Sequence, residues 1–301
     1  MNQTLIKEVQ SPIKGLLAIR VFLCFAFAYL LSYSLRAINA VIAPNLMADL
    51  GLSNTSLGAL SAAYFIGFFL MQFPLGYWLD QYGSRKTESF VLLFGVTGGV
   101  LFAMADNVTV LTIGRGLIGV GVSGCLMSAL TYYKKWFKPE IQSTLASGML
   151  MFGTAGAMLM TVPVEISLPY IGWRGVFWVM IGLLTLSLLG IYFGLPKSTD
   201  PAPLVKKQTK HNPLEWVTAY KPIFKSGYFI QVLPMGLFNQ GGFHAIQSLW
   251  LGTWFKDLVG LPSIEVANHL FIFNLVILGS YAVNLFIPPF FNKKGITTFS
   301  Y

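Results

Sequence analysis

A chain of 301 residues that is 55% hydrophobic and only 10% charged, with a mean hydropathy of +0.66, has too few charges to cover a water-soluble globule of its size. The formal net charge of +9 would point to nucleic acid in a soluble protein. Here the basic residues recur between apolar segments, where they set membrane topology, so the expectation is an all-α polytopic membrane protein with no nucleic-acid partner.

A bilayer core about 30 Å thick needs roughly 20 apolar residues per crossing helix. Stretches of that kind occupy 18–42, 55–79, 88–106, 110–133, 143–168, 174–195, 228–254 and 266–290, which predicts eight spans. Lys7 and Lys14 before the first run and Arg20 at its start resemble a signal peptide, but the run is too long and more spans follow, so no cleavage is expected. With the N-terminus in the cytoplasm, the loop lysines and arginines collect on that side, Arg85, Lys86, Lys134, Lys135 and Lys138 among them. Only Arg174 and Lys256 fall outside. Both termini are then cytoplasmic.

In the first span Tyr29, Ser32, Arg36 and Asn39 follow one another at spacings of three and four, a polar stripe on an otherwise apolar helix. An arginine within a span costs about 2.5–3.5 kcal/mol on insertion scales and is usually kept facing a cavity. The stripe therefore reads as a solute pathway, and the alternative is an ion pair or carbonyl contact that locks helices. Gln72 in the second span and Asn274 in the eighth are further polar candidates. In the seventh, Gln240, His244 and Gln247 share one face beside Gly241-Gly242, a pair able to loosen the helix and bare backbone groups.

Other intramembrane features are read as follows. Arg115, near the outer end of the fourth span, either couples and gates or snorkels outward as an anchor. Gly119, Gly121 and Gly124 are packing notches, and Tyr132 and Tyr133 are interfacial anchors. Glu88 is placed at the inner end of the third span and Glu165 at the outer end of the fifth. With no acid at mid-depth, no carboxylate proton relay is expected within these residues. Cys24 and Cys125 are packing residues without metal-ligand spacing. No catalytic residue, metal site or cofactor is expected. His211, His244 and His269 form no Ser-His or metal-ligand constellation, and there is no nucleotide-binding loop, which leaves a membrane-embedded enzyme or ATP-driven pump without support.

The second and third spans are joined by Gly76-Tyr-Trp-Leu-Asp80-Gln-Tyr-Gly83-Ser-Arg85-Lys86. This turn resembles the signature loop of the major facilitator superfamily, G-x-L-x-D-x-x-G-x-R-K, with Gly76, Asp80, Gly83, Arg85 and Lys86 in place and Trp78 before the leucine unorthodox. Arg115 with Gly119 and Gly121 resembles the family's fourth-helix motif, associated with proton-coupled members. The run Leu35 to Pro44 resembles the first helix of organophosphate:phosphate antiporters, where an arginine eight residues before a proline binds the anionic group.

The resemblance implies a secondary transporter of two six-helix bundles related by a pseudo-twofold axis, working by alternating access on a small solute. Protons or another ion are candidate coupling partners, and the family turn, with Arg115, would act as a conformational latch. The chain then divides into a six-helix bundle (1–195), a lysine- and proline-rich cytoplasmic linker (196–225) and an incomplete second bundle of two helices (226–301). The expected state is a member truncated after its eighth helix, in a bacterial cytoplasmic membrane. An offset of 208 residues carries Arg85 and Lys86 onto Lys293 and Lys294, and Arg36 onto His244. His244 should therefore oppose Arg36 across the cavity. That departs from the arginine that phosphate antiporters carry there. The candidate binding set is Arg36, Asn39, Gln72, His244, Gln247 and Asn274, with a small organic anion as solute. The rival reading is a non-transporting membrane sensor or an inactive transporter remnant.

Overall fold

The computed structural model describes residues 13–196 and 224–293, and among these the regular structure is entirely helical. Helices α1 (Gly15–Ala37) and α2 (Asn39–Leu50) make the first span, interrupted at Ile38 between Arg36 and Asn39. Pro44 lies inside α2 and has no N–H to give the Ala40 carbonyl. Ser53 caps the next helix, accepting from the Ser56 N–H at 3.1 Å.

That helix, α3 (Asn54–Ala103), has 50 residues. At about 1.5 Å per residue it is roughly 75 Å long, far more than one bilayer core of about 30 Å. It turns back at Gly83, whose φ of 76° and ψ of 163° suit only glycine, so α3 contains the second and third spans with the family turn between them. The fourth span is α4 (Val108–Val122) followed by α5 (Cys125–Trp136), with a break at Ser123-Gly124. Helix α6 (Pro139–Leu159) stops within the predicted fifth span, and α7 (Val162–Gly194) carries the rest of that span and the whole sixth, divided at Gly172 with φ 64°. Pro163 explains the interruption. It sits in the first turn of α7, where a missing N–H breaks no bond.

The seventh span is a column of short pieces: α8 (Gly227–Gly236), α9 (Gly242–Ala245) and α10 (Leu251–Asp257), linked by wide π turns at Leu237–Gly241 and Ile246–Trp250. Helix α11 (Ser263–Lys293) is the eighth. The linker from residue 197 to 223, His211 and Lys294 lie outside the described residues, as do the side chains of Gln240 and Lys293.

The interior is mostly apolar but also holds polar and charged side chains, while many large apolar side chains face outward. Ser32, Arg36, Asn39, Glu88, Arg115, Gln247 and Asn274 are buried, while Leu16, Phe69, Leu93, Leu186 and Phe193 are exposed. Among the described residues, five helical stretches, α4 and α5 counted as one, are long and apolar enough to cross a bilayer. The chain is an integral membrane protein.

Its helices meet through glycine. A methyl added at Gly67, Gly119 or Gly121 would collide with the backbone of Gly116, Tyr64 or Gly95, and one at Gly98 would lie 2.7 Å from the Gly114 carbonyl. Such seams let α3 and α4 touch backbone to backbone, which in lipid replaces the hydrophobic driving force available in water. Gly156 does the same for α6 against the Leu30 carbonyl of α1.

One expectation fails here, and one of two alternatives is ruled out. Tyr132 and Tyr133 are buried rather than interfacial, because α5 turns them inward onto α1. Phe25 lies 5.4 Å from Tyr132 and 6.0 Å from Tyr133 between ring centroids. Arg115 does not snorkel. It is 1% exposed, and its guanidinium is 4.8 Å from the centre of the Tyr64 ring, because Gly119 brings Tyr64 against α4.

At the opposite end from Lys134 and Lys135, the start of the sixth span clamps three elements. The Trp173 Nε1–H donates to Asp49 at 2.7 Å, and Arg174 donates to the Ala105 carbonyl at 2.9 Å. Arg174 also lies within 3.8 Å of Asp49 and 3.6 Å of Asp106. The Gly172-Trp-Arg174 boundary is thus a polar clasp.

Candidate functional site

Arg36 ends α1 one residue before the break at Ile38, so the helix delivers its side chain to the centre of the bundle. It is buried, and its guanidinium lies 4.6 Å from the centre of the Tyr33 ring and 5.2 Å from that of Phe68. Its Nη1 is 3.4 Å from Nε2 of His244. A guanidinium only donates, so His244 accepts at Nε2 and carries its ring proton on Nδ1. Tyr33 and Phe65 flank the imidazole, each with ring centroids 6.4 Å away. The separation of the pair along the chain is 208 residues. This is the offset that the sequence comparison of the two halves gave.

His244 is held by α9, the four-residue segment between the two π turns. Wide turns of this kind recur at functional sites, where they expose backbone groups and re-aim side chains. The Gly241-Gly242 pair marks this loosening in the sequence.

The polar atoms around Arg36 are incompletely satisfied. Arg36 Nε, His244 Nδ1 and both amide atoms of Asn39 are buried without a hydrogen-bond partner. Leaving such a group unpaired costs about 1–3 kcal/mol, more if charged. A ligand with acceptor oxygens would satisfy several of them at once.

The remaining candidates are placed in two groups. Gln247 Nε2 donates to Asn274 Oδ1 at 2.8 Å, and Asn274 Nδ2 donates to the Leu270 carbonyl at 2.8 Å, so these two amides brace α11 against the seventh span. Gln72 does not join Arg36. It donates to the Ser123 carbonyl at 3.1 Å, across the α4–α5 break. The aromatic cage of Tyr33, Phe65 and Phe68 was missed in the sequence, although Tyr33 stands three residues before Arg36 on the same face.

A cavity of about 410 Å³ opens beyond this cluster, towards the clasp end. Ala40, Pro44, Glu165, Lys256, Asp257 and Ser263 are among its lining residues, whereas Arg36, Asn39 and His244 are not. Below it the first and seventh spans are pressed together. A methyl at Gly252 would stand 2.9 Å from the Ala40 carbonyl, the one Pro44 leaves without its helical donor.

In the family turn, Arg85 Nη1 donates to the Tyr192 carbonyl at 3.2 Å and the guanidinium lies 5.6 Å from the centre of the Tyr192 ring, tying the third span to the end of α7. The Thr87 hydroxyl donates to the Trp78 carbonyl at 2.9 Å, stitching the two sides of the turn. Gly76, Asp80 and Lys86 are exposed.

The family model described as Major Facilitator Superfamily matches residues 25–300. The chain belongs to this superfamily. Among curated superfamily members, it is 26% identical over 165 residues to the "Probable sulfoacetate transporter SauU" of Cupriavidus necator, a match that covers 54% of the chain and 38% of the relative. It is also 26% identical over 265 residues to a "Quinolone resistance transporter" of Acinetobacter baumannii, covering 79% of the chain and 59% of the relative. Among solved structures it resembles a bacterial homologue of the human lysosomal transporter Spinster, in an inward-facing, unoccupied conformation. There the TM-score is 0.66 at 17% identity, covering 94% of the chain and 64% of that structure. The chain thus spans about two-fifths to three-fifths of the length of these curated relatives. The relatives are transporters rather than enzymes, and the fold is theirs.

Proposed function

We propose that this protein is a secondary transporter that moves a small organic anion across a bacterial cytoplasmic membrane by alternating access, with Arg36 as the anion-binding residue. The observation that carries the reading is a buried guanidinium whose hydrogen-bonding neighbour is a neutral imidazole, not a carboxylate, with Asn39 unsatisfied nearby. In this reading Arg36 presents a fork of donors to a carboxylate, sulfonate or phosphate. Asn39 and His244 complete the site, and Gln247 with Asn274 positions the seventh and eighth spans. The Arg36–His244 contact is the resting state that the solute replaces. The name of the sulfoacetate relative supports an anion as cargo.

The chain would then be divided at 1–195, 196–225 and 226–301, with both termini cytoplasmic. The loop arginine and lysine distribution supports that orientation. The Asp80, Gly83, Arg85 and Lys86 turn acts as the cytoplasmic latch, a role supported by the tie from Arg85 to Tyr192. An Asp80→Asn protein that transports normally would refute Asp80's part in it.

The test of the anion site is uptake of radiolabelled sulfoacetate and a panel of small carboxylates into proteoliposomes. A hydrogen bond to a charged group is worth about 1.5–3 kcal/mol, so Arg36→Ala should weaken uptake at least tenfold. Arg36→Lys should also fail, because an ammonium lacks the planar fork. Undiminished uptake in both variants would sink the anion site.

A further inference from the structure

Glu88 is the buried charge that the proposed solute site does not use. It lies five residues beyond the Gly83 turn on α3, and the helix packing leaves it 0% exposed. Its Oε2 accepts a hydrogen bond from the Ser128 hydroxyl of α5 at 2.7 Å. Oε1 is buried without a hydrogen-bond partner. Gly124, the residue before α5, is kept small by this carboxyl, since a methyl there would collide with Oε2. The carboxyl therefore rests on the first turn of α5.

The groups facing it can be named. From α5 they are Ser128 and the Cys125 thiol. On α3 itself, Leu75 stands beside the same glycine, Arg85 is directed to the Tyr192 carbonyl of α7, and Lys86 is exposed. None of the ion pairs among the described residues involves Glu88.

This environment supports both forms of the carboxyl. The Ser128 hydroxyl can donate to the carboxylate and to the carbonyl oxygen of the neutral acid alike. Oε1, buried and without a hydrogen-bond partner, is the atom available to carry the proton of the acid form. The surroundings also connect it to the bundle centre. The break that begins α5 receives the Ser32 hydroxyl of α1 at the Val122 carbonyl, 3.1 Å away, and Gln72 at the Ser123 carbonyl. Movement of α5 relative to α3 therefore changes the setting of Glu88 and of the stripe that carries Arg36 together.

We infer that Glu88 is a reversible proton-binding site. The carboxyl takes a proton when the seam between α3 and α5 is closed, and releases it, as the carboxylate and a free proton, when the seam admits water. The sequence offered no such role, because Glu88 is near one end of its span and its depth of burial comes from the neighbours.

Infrared difference spectroscopy of the protein in lipid, stepped between about pH 4 and pH 9 in view of the range of buried carboxyls, tests this without any solute. The wild type should show a protonated-carboxyl C=O band at the acid end that is lost at the alkaline end, and Glu88→Gln should lack it. Ser128→Ala keeps the carboxyl but removes its hydrogen bond, so the band should remain and move to higher frequency. That assigns it to Glu88 even if Glu88→Gln fails to fold. A wild-type spectrum in which no band responds to Glu88→Gln or Ser128→Ala overturns the inference, and so does a Glu88 band that persists unchanged at alkaline pH. Because the readout is independent of transport, its failure is distinct from failure of the anion site.

Discussion

Arg115 and Arg36 illustrate how a charged side chain is kept inside a membrane bundle without a carboxylate. Tyr64 is central to both. Its ring lies under the Arg115 guanidinium and stacks at 6.3 Å on Phe68, whose other contact is Arg36, while its hydroxyl donates to the Ser32 carbonyl at 3.4 Å. A desolvated cation–π contact is worth about 2 kcal/mol and an ordinary hydrogen bond about 1 kcal/mol. Tyr64→Phe should therefore lower stability by about 1 kcal/mol. Tyr64→Leu, which also leaves Arg115 facing no ring, should lower it by about 3 kcal/mol or more. Thermal unfolding in detergent ranks the two. Equal effects would show that the ring is ordinary packing.

Among the helices, the α3–α4 seam is set by glycines that admit no side chain. Gly121→Val forces a branched side chain into the Gly95 backbone, and overpacking of a close-packed seam costs about 1–3 kcal/mol. Gly58→Ala is the matched control. That position has open space, and alanine stabilises a helix by roughly 0.5–1 kcal/mol relative to glycine. The expected result is a lower melting temperature for the first and an equal or higher one for the second. A similar drop in both would mean that loss of any glycine, rather than the close approach, is what matters.

For the molecule as a whole, the proposed alternating cycle can be tested at the contact between the first and seventh spans. A side chain at 252 would place its Cβ 3.5 Å from that of Ala40, within the range for a disulfide. The Ala40→Cys, Gly252→Cys pair should cross-link on mild oxidation and stop uptake, and reductant should restore both. Full uptake by the oxidised protein would show that these spans need not separate during the cycle.

Much of the architecture was legible in the chain because it depends on local chemistry and length. Apolar runs of bilayer length mark spans, and Gly83 lies in the turn that joins the second to the third, whereas the break before Pro163 in the fifth span was not anticipated. The family membership was legible from five positions of one turn. A repeat offset also put Arg36 opposite His244, and the structure brings them within hydrogen-bond distance. Symmetry gave that contact a sequence signal that an arbitrary tertiary contact lacks.

Which way a side chain faces within its layer was not legible. Tyr132, Tyr133, Arg115 and Glu88 all lie near span ends, where sequence reasoning assigns anchoring and snorkelling. Each is instead buried by a neighbour that arrives from far along the chain: Phe25, Tyr64 or Ser128. Gln72 was grouped with Arg36 by polarity and depth, yet it faces the α4–α5 break. The sequence by itself determined the membrane class, the all-helical fold, the family and the pairing of Arg36 with His244, since hydropathy, turn chemistry and repeat spacing are properties of the chain. Only the tertiary structure decided which polar groups share a site and which are sealed away, since that depends on helix rotation, and rotation is set by close packing between glycines distant in sequence.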